Sequence, residues 1–253
     1  MSDAPNLPAD IASALTEPKA YGEWQGLNEK FAWARANAPL AIANVPGFDP
    51  FWAVTRHADI MEVSRNNKLF ASGIRQTTLT QSLIDQAVRT QFPDGHLIRS
   101  LVQMDAPDHM KYRLLTQTWF MPKNLRTLED RIREIARETV DHMLSLGGEC
   151  DFATDVALHY PLRVVMNILG VPREDEPRML MLTQQLFGST DPELNRARAE
   201  VTDPMQALQM LQFVIADFET YFKALTEDRR QNPKEDVATV LANASVNGAP
   251  IPD

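Results

Sequence analysis

The chain has 253 residues, 44% of them hydrophobic, which is enough to bury a substantial core in one large domain or two small ones. Its formal net charge of -9, with Lys and Arg dispersed, argues against nucleic acid or an anionic membrane surface as partner. No apolar run of about 18 residues occurs, Met1-Ser2-Asp3-Ala4-Pro5 lacks the basic and apolar regions of a signal peptide, and the single cysteine excludes an internal disulfide, so a soluble, cytoplasmic protein is expected.

Leu27, Phe31 and Ala34 share one helical face, and Pro39 closes that helix. Phe51 to Thr55 is a short run of β-formers bounded by Pro50, hence a strand, with a weaker strand near Leu40 to Ala43. His57 follows the strand and opens a helix, the place of a capping or surface residue. Gly73 to Leu101 has no clean periodicity. Asp105 then reads as an N-cap, Pro107 fits the first turn, and Asp108 replaces the usual capping-box glutamate. Leu125, Leu128, Ile132, Ile135, Ala136, Val140, Met143 and Leu144 form the apolar stripe of an amphipathic helix that stops at Gly147-Gly148, with His142 on its polar side. From Val156 to Leu169 the apolar positions occupy more than one face, so that helix is expected to be more deeply buried, with Pro161 kinking it or lying in its first turn. A helix from about Arg173 to Phe187 carries Glu174-Asp175-Glu176 in its first turn, where acids favour the macrodipole. Gly188 to Asp203 is irregular, and a long helix runs from about Pro204 to Arg230 before Asn232-Pro233 breaks it. The fold class is mainly α, with a small β-sheet near the N-terminus.

Self-contained catalytic signatures are absent: no Gly-x-Ser-x-Gly elbow, no His-Glu-x-x-His helix, no phosphate-cradling Gly-Lys loop and no Gly-x-Gly-x-x-Gly turn. The five histidines show no metal-ligand spacing. What carries chemistry is His109 with Arg113. Four residues apart on a helix, they offer an imidazole donor and a guanidinium fork to one anion, which suits a carboxylate-bearing ligand; the plainer reading is a solvated helix face. The two irregular stretches are candidates for substrate contact, because long structureless segments in a compact domain are uncommon unless they bind or move.

Asp105-Ala106-Pro107-Asp108-His109 followed by Arg113, with Phe120-Met121-Pro122 seven residues on, resembles the C-helix signature of bacterial cytochrome P-450 monooxygenases. Phe51 to Ile60 through Leu69-Phe70-Ala71-Ser72, Asp151-Phe152 through Leu169-Gly170-Val171-Pro172, and Asp236-Val237 through Val246-Asn247-Gly248 are similar to further parts of that family, in order and spacing. The resemblance implies haem as cofactor, with His109 and Arg113 holding a propionate. It also implies an apolar substrate of terpenoid, steroid or aromatic type, O2, and a ferredoxin as electron donor. Val102 is the favoured substrate contact, with Ile74, Thr77, Leu79, Leu97, Ile98 and Leu101 from the first irregular stretch and Leu186 and Phe187 from the end of a later helix. Metal ligands and catalytic residues are not expected within the chain. The family's iron-ligating Cys loop, its Glu-x-x-Arg pair and the acid-alcohol pair of its central helix are all absent, and Cys150 lies after a helix stop without a Gly-rich haem loop. Residues 1-253 are therefore expected to be an incomplete single P-450 domain, reaching the start of the central helix and inactive alone. The alternative is a non-catalytic helical ligand-binding or scaffold protein.

Overall fold

The computed structural model describes residues 4–75, 78–189 and 191–251, and the chain divides into two compact units, Met1–Asp105 and Ala106–Asp253. In the first unit, α1 (Ala9–Ala14), α2 (Pro18–Gly22) and α3 (Trp24–Asn37) precede β1 (Leu40–Ala43) and β2 (Phe51–Val54). The strands pair antiparallel, Ala41 opposite Ala53, and the chain start bridges the other side of β1, Leu7 donating to the Ile42 carbonyl at 2.9 Å. Leu7, Ile11, Ala12, Ala34, Ala41, Ala43 and Ala53 form the core of this unit; so many alanines bring helix and sheet backbones close together. After α4 (His57–Arg65) come α5 (Ser82–Gln91) and a tight 3-10 turn at Leu101–Gln103.

The second unit is helical apart from one hairpin: α6 (Asp108–Gln117), α7 (Pro122–Ser145), a π-helical turn at Phe152–Ala157, α8 (Tyr160–Leu169), α9 (Glu176–Phe187), α10 (Pro204–Gln231), α11 (Val237–Ala242) and the two-residue strands β3 (Ser245–Val246) and β4 (Ala249–Pro250). Asn247 and Gly248 both take positive φ, the turn geometry that joins such strands without splaying them. Met166, Met179, Leu182, Val214 and Leu225 are its buried centre, with Phe218, Tyr221 and Phe222 packed against them.

A buried charge cluster joins three of these helices. Arg229, with 2% of its side chain exposed, donates from Nε to Asp236 Oδ2 at 2.7 Å and from its guanidinium to the Gly170 carbonyl at 2.6 Å. The other oxygen of Asp236 accepts from the Thr239 amide at 2.7 Å and so caps α11. Gly170 ends α8 in the left-handed region, and a Cβ there would lie 2.0 Å from Asp236 Oδ2.

Several expectations need correcting. Asp105 does not cap α6: Pro107 holds the cap position, and the Asp105 carboxylate accepts from the Ser72 and Gly73 amides at 2.9 and 2.8 Å instead. Asp108 stands in the first turn of α6 and pairs with Lys111 one turn on. Gly73 to Leu101 contains a ten-residue helix, α5, whose inward face includes an aspartate, Asp85, beside Val88, so apolar periodicity alone misses it. The segment from Val156 is two elements, and Pro161 sits in the first turn of α8. Only Met166 of α8 is fully buried, and Val165 is half exposed. On α7, Ile135 is buried but Leu125, Val140 and Leu144 lie exposed. Glu176 binds Arg163 and Asp175 accepts from the Tyr221 hydroxyl, so these acids serve specific partners as well as the helix dipole.

Candidate cofactor and substrate site

α6 carries the one donor pair singled out by the sequence. His109 is half-buried and Arg113 exposed, one helical turn apart on the same face. Among the described residues neither side chain has a hydrogen-bond or ion-pair partner. Lys111, by contrast, gives its ammonium to Asp108 at 3.0 Å. Alongside the pair runs a second stripe, Met110 and Leu114, about half exposed, and Phe120 follows, its ring edge-on to Trp119. The helix face thus combines two donors for carboxylates with an adjoining apolar strip, the donor set that an apolar plate with acidic substituents requires. A haem with its propionates has that chemistry, and the residues fit it.

The expected substrate contacts are divided between the units. Ile74, Leu97, Ile98, Leu101 and Val102 belong to the first and Phe187 to the second, while Thr77 lies outside the described residues. Ile74, Val102 and Phe187 are strongly exposed, at 72%, 68% and 82%. Leu79, Ile98 and Leu101 are exposed to a lesser degree and Leu97 is half-buried; Leu186 packs on the core of the second unit. Residues 72–75 are held by side chains distant in sequence: Asp105 on the Ser72 and Gly73 amides, His96 on the Gly73 carbonyl at 2.8 Å, and Asp49 on the Arg75 guanidinium at 2.7 Å. Asp49 also accepts from the Ser82 hydroxyl at 2.8 Å; that bond first, and Arg75 second, hold its carboxyl below the usual carboxylate range. Sequence reasoning missed His96 and the anchoring role of Asp105, since neither belongs to a spaced pattern.

Cys150, the only cysteine, is exposed, and among the described residues no group of three or more His, Cys, Asp or Glu could hold a metal ion. No helix among them is long and apolar enough to cross a membrane.

No protein-family model matches the chain. Its fold is that of the N-terminal part of the cytochromes P-450: the crystal structure of CYP108D1 from Novosphingobium aromaticivorans superposes with a TM-score of 0.84 at 44% identity, covering 98% of this chain and 57% of that one. Cytochrome P-450-terp of a Pseudomonas species is 41% identical over 98% of this chain and 58% of its own length. A steroid C26-monooxygenase of Rhodococcus jostii is 30% identical over 96% of this chain and 49% of its own length. The chain's homologues are thus cytochromes P-450, and it spans about half the length of the relatives it matches.

Proposed function

We propose that the chain is the propionate-holding and partly substrate-binding section of a haem-dependent monooxygenase, an incomplete single P-450 domain to which both compact units belong. The observation that carries this reading is the pair on α6, His109 and Arg113, without side-chain partners among the described residues and beside the apolar strip of Met110 and Leu114. Arg113 supplies a permanent bidentate charge, and His109 donates from a ring nitrogen to the same anionic edge. Carboxylates left without such donors in a partly buried site would be costly, so these two residues contribute binding and orientation and take no part in electron or proton transfer. When bound, the haem supplies the oxygen-activating chemistry. Its thiolate ligand belongs to the part of the relatives' length that this chain does not span, consistent with the exposed position of Cys150.

The reaction assigned is insertion of one oxygen atom from O2 into an apolar small molecule of terpenoid, steroid or aromatic type, with electrons from a ferredoxin, in the cytoplasm. The exposed apolar side chains of Ile74, Ile98, Leu101, Val102 and Phe187, with Leu97 and Thr77, are the proposed substrate contacts. The steroid specificity in the name of the Rhodococcus relative supports an apolar substrate class.

The test is made on the product of the complete gene. Reduced and exposed to carbon monoxide, it is expected to show the red-shifted Soret band of thiolate-bound haem, and absence of haem absorbance refutes the enzyme reading. Arg113→Ala is expected to lower haem retention more than Lys111→Ala, whose ammonium is committed to Asp108. Equal haem content in the two variants refutes the assignment of Arg113.

A further inference from the structure

We infer that His96 is the positioning residue of the 72–75 loop, setting the backbone from which Ile74 projects; the link to substrate rests on the functional reading above. His96 is 7% exposed, yet only one of its ring nitrogens is used. Nε2 lies 2.8 Å from the Gly73 carbonyl oxygen, which can only accept, so Nε2 carries a hydrogen and, in the neutral ring, Nδ1 is a bare acceptor. That Nδ1 is buried without a hydrogen-bond partner. An orphaned buried acceptor is costly, and such groups call for a reason. The reason here lies on the other ring nitrogen.

Gly73 is gripped on both sides of its peptide. Its amide donates to Asp105 Oδ2 at 2.8 Å, while its carbonyl receives the His96 hydrogen. There is no slack at the position: an added Cβ would come within 3.0 Å of both Asp105 Oδ2 and the Gln103 carbonyl. The next carbonyl, of Ile74, accepts from the Arg89 guanidinium at 3.3 Å, and Arg75 is tied to Asp49. Of the side chains that act directly on this segment, Asp105, Arg89 and Asp49 are surface-accessible to some degree, whereas His96 is buried. Four tethers therefore fix a segment without helix or strand, and the result is a rigid loop whose one large apolar side chain, Ile74, stands 72% exposed. A loop with no ligand to meet gains nothing from presenting isoleucine to water; a loop forming a wall for an apolar ligand does.

The experiment compares His96→Phe, which removes the donor, with His96→Gln, whose amide can still reach the Gly73 carbonyl. Hydrogen exchange of the Ser72 and Gly73 amides reads the loop directly and needs neither haem nor substrate. His96→Phe is expected to speed their exchange about tenfold while α10 amides are unchanged, and His96→Gln to stay within about threefold of the parent. Unchanged exchange at Ser72 and Gly73 in His96→Phe overturns the positioning role, and so does equal acceleration in the two variants, because the donor then is not what matters. In the haem-loaded product of the complete gene, the dissociation constant of limonene, used as an apolar probe, is expected to rise about fivefold in His96→Phe and less than twofold in His96→Gln. Faster loop exchange with unchanged limonene binding overturns the link to substrate, and absence of haem in the parent protein is a failure of the functional reading instead.

Discussion

Replacing Asp236 by alanine removes two acceptors at once, and the structure sets the size of the loss. Oδ2 neutralises the Arg229 guanidinium at 2.7 Å in a place where both side chains are at least 95% buried, and Oδ1 caps α11 through the Thr239 amide. Breaking a buried pair by deleting one partner costs about 3–5 kcal/mol, because the remaining charge is uncompensated. Loss of an N-cap adds ~1 kcal/mol. Arg229 keeps the Gly170 carbonyl and the partly exposed Asp228, which offsets some of this, so a net cost of about 3–4 kcal/mol is expected. Against typical stabilities of about 5–15 kcal/mol this is a large fraction. The assay is equilibrium urea unfolding followed by circular dichroism, with Arg229→Met and the double variant completing a thermodynamic cycle. The double variant is expected to be more stable than the sum of the single losses predicts. A cost below about 1 kcal/mol for Asp236→Ala, or strict additivity in the cycle, refutes the reasoning.

Gly170→Ala is expected to destabilise the chain by more than about 2 kcal/mol in the same unfolding assay, since a left-handed backbone disfavours a Cβ and that Cβ would collide with Asp236. For Asp49 the sign follows from its lowered native pKa: the unfolded state takes up protons first as pH falls, so the carboxylate's contribution is fully present above its unfolded value of about 3.9 and is lost as pH drops through the native value. Asp49→Asn is therefore expected to flatten the pH dependence of the urea midpoint below about pH 4; an identical acid limb in parent and variant contradicts the Ser82 and Arg75 bonds to this residue.

The helices with regular apolar spacing were legible before any coordinates. α3 closes before Pro39, α10 runs from Pro204 to Gln231, and β1 and β2 fall where short runs of β-formers predict them. The donor pair His109 and Arg113 was equally accessible, because a spacing of four residues on a helix needs no tertiary information. α5 was not, since its buried face contains Asp85, tied to Arg89 at 3.1 Å, and an aspartate carries no apolar signal. Val140 and Leu144 were assigned to a buried stripe by period alone, whereas whether an apolar stripe is covered depends on which element lies over it.

The sequence by itself therefore carried the resemblance, the predominance of helix and the pair of donors one turn apart on α6, all of which depend on local order and spacing. Tertiary structure decided where the polar groups go. Asp105 has the credentials of a helix cap, yet its carboxylate goes to two amides 32 and 33 residues away. Arg229, Asp236 and Gly170 lie at the ends of three helices and meet only when α8, α10 and α11 are packed. Hydrogen bonds and buried charges choose partners by distance in space, and that distance is set by the packing of the whole chain.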